Sequence, residues 1–296
     1  MSSLLKIPGR SNADPDLAKV RLARLTEAQG LTHPRDRWTV LSGGRSNRVW
    51  RVSGPASDRV VKLFLEGRET PLFRNSARDE ARAIRSLDGT GLAPGGALHL
   101  STPMGEIVIY DHLESSGDSV TPDLMGQTLA RLHNCAPPAR QPLMPDIGVY
   151  LANQISRLRA DLRPVQAAQI PNVRIRQPGI GASAVFLHGD PVPANVVMSR
   201  NGHAVLIDWQ SPRTGDPLWD LAVCASPSMR QLYGAVPWTP AELDTFLKGY
   251  GANSVTAQFW RYKRDFHALF AAYGLWMANR GHPDYAAAAQ LEIAAL

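Results

Sequence analysis

Leu17, Val20, Leu22 and Leu25, followed by Gly30, carry the 3.6-residue period of an amphipathic helix with a glycine stop, and predict a helix over 17–30. The pattern then changes to short runs rich in β-branched and aromatic residues. Trp38–Val52, broken by Gly43-Gly44, reads as strands, and so do Arg59–Leu65 and Glu106–Leu113. Between the last two, Ala77, Ala81, Ile84 and Leu87 line one stripe of a helix over 76–87. From Thr121 the helical period dominates, in DLMGQTLARLHN, YLANQISRLRADL and FWRYKRDFHALFAAYGLWMANR, with loop-like APPARQPLMPD and PNVRIRQPGIGAS between the first segments. The runs NVVM and AVLI flank Asn201-Gly202 and predict a hairpin. The expected architecture is α+β, with a small sheet-rich lobe over 1–113 and a larger helical lobe over 114–296.

Composition narrows the class. A chain of 296 residues that is 44% hydrophobic buries a substantial core. No apolar run approaches the roughly 18–20 residues needed to span a bilayer, and the first residues lack the apolar stretch of a signal peptide. Cys135 and Cys224 form no CxxC pattern, so neither a disulfide framework nor a zinc site is expected, and a reducing cytoplasm is the natural setting. The net charge of +6 is localised: residues 1–110 hold 17 Lys/Arg against 11 Asp/Glu, and residues 111–296 hold 15 of each. Such a surplus favours a polyanionic ligand. Nucleic acid is one candidate, although no helix-turn-helix, RNP or zinc-finger pattern accompanies the charge; a nucleoside triphosphate is the other, and the local motifs must decide.

One stretch, FLHGDPVPANVVM over 186–198, interrupts apolar runs with His188, Asp190 and Asn195 on a segment stiffened by Pro191 and Pro193. The strand AVLID ends in Asp208, and the Asn-Gly turn folds it back beside NVVM, toward Asn195. Asp190, Asn195 and Asp208 then converge as hard oxygen donors, an incomplete magnesium site with room for phosphate oxygens and water. Asp190 is left to accept a proton from an attacking hydroxyl. Taken singly, an Asp or Asn in a proline-containing turn serves the local backbone. The joint spacing, Asp-x4-Asn and then a strand ending in Asp, points beyond that.

HGDPVPAN followed by LIDWQSPRTGDPLWDLA resembles the signature of the aminoglycoside phosphotransferase and choline kinase superfamily, relatives of protein kinases. The resemblance implies a two-lobed protein-kinase-like fold with a small antiparallel-sheet N-lobe that binds nucleotide and a larger helical C-lobe. It implies Asp190 as catalytic base, His188 as an orienting residue of the catalytic loop, and Asn195 and Asp208 as magnesium ligands. Gly215, Asp216 and Asp220 match the trailing G-D-x-x-x-D-L-A, whose last Asp supports the fold. LSGGRSNRVWRV resembles the hairpin over the ATP phosphates, which brings in Gly43, Gly44, Ser46 and Asn47. Lys62 falls where kinases carry the lysine on the α- and β-phosphates, and Glu80 where its helix partner stands. IVIYDHL matches the hinge, with backbone groups near Asp111–Leu113 facing adenine. The cofactors implied are ATP and magnesium, and the partner is a small-molecule hydroxyl acceptor, with no nucleic acid or membrane.

Departures bear on substrate. Protein kinases carry Arg between the His and Asp of this loop, where an activation-loop phosphate docks; here Gly189 stands there. Asp208-Trp209-Gln210 replaces Asp-Phe-Gly and no Ala-Pro-Glu follows, so a small-molecule kinase fits better than a protein kinase. GGRSN is similar to the version in choline and thiamine kinases, although choline kinases usually have Asn at the place of Gly189. The helical portion is neutral, which disfavours a polycationic aminoglycoside. Five tryptophans, Trp209, Trp219, Trp238, Trp260 and Trp276, follow the catalytic loop, and Tyr262, Phe266, Phe270, Tyr273 and Trp276 repeat at helical spacing. That series is an ordinary core stripe for most members. Rings reaching the cleft near Asp216 would suit a compact cationic alcohol of the choline, ethanolamine or thiamine type. A sugar or aminoglycoside kinase on the same fold, and a non-catalytic nucleotide-binding regulator, are the alternatives.

Overall fold

Strand residues alternate between opposite faces of a sheet, and along β3 (Asp58–Leu63) this sends Val61 and Leu63 to one side and Val60 and Lys62 to the other. The computed structural model describes residues 15–41, 45–55, 57–175 and 184–296; Gly43 and Gly44 lie outside them. With β1 (Arg37–Val40), β2 (Arg48–Ser53), β4 (Leu98–Thr102) and β5 (Gly105–Asp111), β3 forms an antiparallel sheet in the order β1-β2-β3-β5-β4. β4 is mostly half-exposed, with Leu98 and Leu100 alternating with His99 and Ser101.

Each face of this sheet has its own helix. On one, α1 (Pro15–Ala28) packs Ala18 and Leu22 against Trp50, Val52, Val61, Leu63, Ile107 and Ile109. The expected stripe on α1 is rotated: Leu17 and Val20 are exposed, and the buried row is Ala18, Leu22 and Thr26 at four-residue spacing. Thr26 is accommodated because its hydroxyl donates to the Leu22 carbonyl at 2.9 Å. On the other face, α2 (Ala77–Ser86) sets Ala81 and Ile84 into a core shared with Val60, Val108 and Tyr110. Ser76 caps that helix by accepting the Asp79 N–H at 3.3 Å.

The rest is mainly helical. α3 (Pro122–His133), α4 (Ile147–Ala160) and the short α5 (Pro164–Ala167) precede two small two-stranded sheets. β6 (Val185–Leu187) pairs with β9 (Arg213–Gly215), and β7 (Val196–Met198) with β8 (Ala204–Leu206), the latter joined by the loop containing Asn201-Gly202. Then come α6 (Leu218–Ala225), α7 (Pro227–Leu232), α8 (Pro240–Tyr250), α9 (Asn253–Ala278) and α10 (Asp284–Ile293). Tyr262, Phe266, Phe270 and Tyr273 of α9 are buried, as a core stripe requires, and Trp276 is half-buried. α10 is pinned by Glu292, which accepts from the hydroxyls of Ser226 and Ser228 and lies 2.5 Å from His267 Nδ1. Both cysteines are free. Among the described residues no helix is long and apolar enough to cross a membrane.

Candidate active site

The catalytic-loop stretch follows β6, whose Phe186 and Leu187 are buried and anchor it in the core. Two consecutive backbone amides, His188 N–H and Gly189 N–H, donate to the two oxygens of Asp220 at 2.7 and 2.9 Å. The Trp219 indole N–H donates to the Gly189 carbonyl at 2.9 Å. These bonds clamp the loop onto the start of α6, which accounts for the Asp-Leu-Ala ending of the motif. Gly189 has φ +88, and a Cβ there would overlap the Ser211 carbonyl oxygen. Neither Arg nor Asn fits that backbone without displacement, which explains the departure at this position.

His188 is fully buried and makes its bonds inside the protein. Its Nδ1 accepts the Asp190 N–H at 3.2 Å, and its Nε2 faces the Ile207 carbonyl at 3.0 Å. Desolvation holds the imidazole below its ordinary pKa, and the ring rests against Trp209 at 4.4 Å between centroids. It therefore braces the loop of Asp190 against the strand leading to Asp208. His188 borders neither cavity of the site.

The two prolines turn the chain back on itself. A single 3-10 turn, Pro193–Asn195, returns the Asn195 amide to Asp190, where Nδ2 donates to the backbone carbonyl at 3.0 Å and approaches Oδ2 at 3.5 Å. Across the hairpin the Ile207 N–H donates to the Asn195 carbonyl at 2.9 Å, so Asn195 and Asp208 stand side by side at its open end. Asp208 has φ +62, a left-handed conformation that Asp tolerates better than most residues. One of its oxygens meets Lys62 Nζ, which also donates to Glu80 Oε2 at 2.6 Å. Burial works against charge on Lys62, but Asp208 and Glu80 together raise its pKa above the ordinary lysine value. Burial also raises Glu80, with Lys62 opposing. The Asp190 carboxyl is pushed up to about 8 by burial and then by the negative charges of Asp208 and Asp220.

Two adjoining cavities meet here. The first, about 240 Å³, is a slot with Leu41, Val49 and Val60 from the sheet on one side and Val197 and Ile207 on the other. Lys62, Asn195 and Asp208 stand at its polar end. His112 and Leu113 border it, but Asp111 does not. The Asp111 N–H is taken by the Gly95 carbonyl at 2.9 Å, and its carboxylate is exposed beside Gly95 and Gly96, which corrects its placement at the hinge. Ser46 and Asn47 also border the slot. The Asn47 amide, however, donates to Gln210 Oε1 and Asn75 Oδ1, both at 2.7 Å, and its carbonyl accepts from Leu65 N–H at 3.1 Å. Asn47 thus ties the start of β2 to the segment after Asp208 and has little left for a ligand.

The second cavity, about 330 Å³, holds Asp190 and is bordered by Arg45, Arg68, Arg74 and Arg280, with Tyr273 and Trp276 from α9. Reading by motif missed all four arginines. The available signal was the charge surplus of residues 1–110, to which Arg45, Arg68 and Arg74 belong. Asp216, expected near the aromatic rings, is absent from this cavity; it caps α6 by accepting the Leu218 N–H at 2.9 Å.

Hard oxygen donors suit magnesium, and the set here fits it. Asn195 turns its Nδ2 to Asp190, which leaves Oδ1 uncommitted next to Asp208. Among the described residues no group of three or more His, Cys, Asp or Glu could hold a metal ion by itself.

A two-lobed α+β fold with a lysine-glutamate pair in a small antiparallel lobe, and an Asp, Asn and Asp around a loop and hairpin below it, defines a kinase-like phosphotransferase. The profile of the phosphotransferase enzyme family matches residues 37–261, and the chain belongs to that family. A choline kinase from Streptococcus pneumoniae superposes with a TM-score of 0.62 at 19% identity, covering 95% of this chain and 100% of that one. An ethanolamine kinase from Plasmodium vivax gives 0.62 at 12% identity, covering 99% and 95%. A macrolide 2'-phosphotransferase from Brachybacterium faecium gives 0.56 at 17%, covering 91% and 96%. Comparison with curated protein sequences finds no match.

Proposed function

We propose that the protein is an ATP- and magnesium-dependent kinase that moves the γ-phosphoryl group to a hydroxyl of a small molecule in a reducing cytoplasm. In this reading the chain divides near residue 113 into a nucleotide-binding lobe and a lobe carrying the catalytic loop and acceptor site. The observation that carries the reading is the division of labour across one boundary. Asn195 and Asp208 border the apolar slot, Asp190 borders the neighbouring cavity, and both cavities share Arg45, Ser46, Gln210 and Tyr233. A nucleotide in the slot would direct its phosphates toward Lys62, and an acceptor in the second cavity would place its hydroxyl at Asp190.

Asn195 and Asp208 would hold magnesium, which when bound neutralises phosphate charge. Lys62, kept charged and aimed by Glu80, contacts phosphate oxygens. Asp190 orients the acceptor hydroxyl and takes its proton as the oxygen forms its bond to the γ-phosphorus and the bond to the β-bridging oxygen breaks, releasing ADP. His188, Asp220 and Trp219 position that carboxylate without touching substrate. The related folds include proteins named as choline, ethanolamine and macrolide kinases, consistent with a small-molecule acceptor. The expectation of a compact cationic alcohol drew on Asp216 and nearby rings, and the lining of the second cavity gives that reading no carboxylate at Asp216. ADP release across a panel of hydroxyl compounds, with Asp190→Asn as the control, tests the proposal; equal turnover by that variant would remove Asp190 from its role.

A further inference from the structure

We propose that the acceptor is an anionic alcohol, a hydroxyl-bearing small molecule that also carries a carboxylate or phosphate, bound through Arg68, Arg74 and Arg280. This deepens the kinase reading above and rests on it. The cavity that holds Asp190 is bordered by Arg45, Arg68, Arg74 and Arg280, and its other carboxylate is Glu69. Arg45 also borders the nucleotide slot and is placed to serve phosphates, but Arg68, Arg74 and Arg280 border only the acceptor side.

The arginines have partners, and those partners lie behind them. Arg45 pairs with Asp284 at 2.6 Å, Arg74 with Asp79 at 2.9 Å and Arg280 with Asp161 at 3.3 Å, and none of these three acids borders the cavity. Each pair is partly exposed and holds a guanidinium in place while leaving other N–H groups of its fork to meet a ligand. Arg68 is exposed and, among the described residues, has no hydrogen-bond or ion-pair partner. An anion entering the cavity thus meets one free guanidinium and others already oriented.

The aromatic rings lead to the same conclusion. A compact organic cation needs an open ring face or a free carboxylate. Here the Arg280 guanidinium lies 3.7 Å from the centroid of Trp276, and Arg45 lies 5.3 Å from that of Tyr285 and 5.5 Å from that of Tyr233. Tyr273 stacks against Trp276 at an interplanar angle of 14° and meets the edge of Phe73 at 5.6 Å. The rings therefore serve the protein's own cations, and an added ammonium would meet four arginines set against only Asp190 and Glu69 among the described lining residues. Held over the Trp276 ring and by Asp161, the Arg280 guanidinium is a planar donor of the kind that suits carboxylate and phosphate oxygens.

The test loads the full-length protein with magnesium and a non-hydrolysable ATP analogue and titrates it calorimetrically. The probes are hydroxy acids and sugar phosphates, each matched to its neutral alcohol and to an amine: glycerate and glycerol 3-phosphate against glycerol and choline, and so through the panel. ADP release with ATP is measured for the same compounds. Anionic members should bind at least about tenfold tighter than their neutral counterparts and weaken with added salt. Arg68→Ala, which breaks no contact among the described residues, and Arg280→Gln should each weaken anion binding roughly three- to thirtyfold. Choline, ethanolamine or a neutral alcohol binding as tightly as the anions would overturn the inference. So would anion affinities unchanged in both arginine variants, or no anion binding to the loaded protein. Thermal stabilisation by the analogue separates the two levels. Its absence counts against the kinase reading itself, whereas its presence without anion preference defeats only the acceptor class.

Discussion

The slot beside Lys62 and the cavity that holds Asp190 share a wall at Ser46 and Gln210, yet they are built on different terms. In and around the slot the chemical groups are buried and cross-braced. Lys62 is held by two carboxylates, Asn195 by Asp190, and the loop carrying Asp190 by His188 and Asp220. Around the cavity that holds Asp190 the cations are long arginine side chains, partly exposed and held at most by one carboxylate each. Groups that handle a reaction need fixed positions, and burial with several bonds supplies them. Groups that recognise one acceptor among many can rest on exposed side chains, whose replacement disturbs little else. Changes in the first region should therefore alter stability and function together, and changes to the arginines of the second should cost selectivity alone.

The sharpest break is Asp190→Asn. It keeps size and most hydrogen bonding but removes the proton acceptor, so acceptor-dependent turnover should fall roughly 10²–10⁴-fold while nucleotide binding stays close to wild type. Steady-state ADP release together with nucleotide titration checks both halves. Lys62→Ala should be next, because it leaves Glu80 buried and without its partner. A loss of about 3–5 kcal/mol in unfolding free energy is expected, along with a raised ATP requirement. Denaturant unfolding decides between this and an unperturbed fold, which would mark Lys62 as dispensable to the structure.

Gly189→Ala tests the loop clamp. The left-handed backbone alone costs about 1–3 kcal/mol for a non-glycine residue, and displacement of Ser211 adds to it. Lower thermal stability and lower turnover should therefore appear together. The pH dependence is smaller but more specific. Asp190 keeps its proton up to about 8 in the folded protein, whereas its ordinary value is 3.8. The folded state then binds more protons between those values, so this group's contribution to stability falls as pH rises through that window. In metal-free protein Asp190→Asn should remove that slope and raise the melting temperature by several degrees near pH 8; a parallel pair of Tm profiles would refute the assignment. Smallest of all, Arg45→Ala on the shared wall should cost no more than about 1 kcal/mol, since its ion pair with Asp284 is half-exposed. A larger loss on thermal unfolding would mean that the acceptor side is braced like the slot.

Much of the first region was legible along the chain. Asp190 and Asn195 are five residues apart on a proline-stiffened turn, and a hairpin returns Asp208 to them, so local geometry alone brings the three together. Strand alternation and helix caps were readable for the same reason, as Ser76 before α2 illustrates. The rotated stripe of α1 was not, because Leu17 and Ala18 are both apolar and only the sheet decides which of them it covers. Asp111 and Asn47 were placed by their neighbours in sequence, and contacts with Gly95 and Gln210 redirected them.

By itself the sequence determined the groups that act within a few residues of one another: the loop, the hairpin, the lysine strand and the two-lobed order of elements. Only the tertiary structure decided the character of the cavity that holds Asp190. Arg45, Arg68, Arg74 and Asp190 converge there with Arg280 from beyond the end of α9, so no local spacing connects them. A charge surplus states how many arginines there are, and folding alone states which of them face the same space.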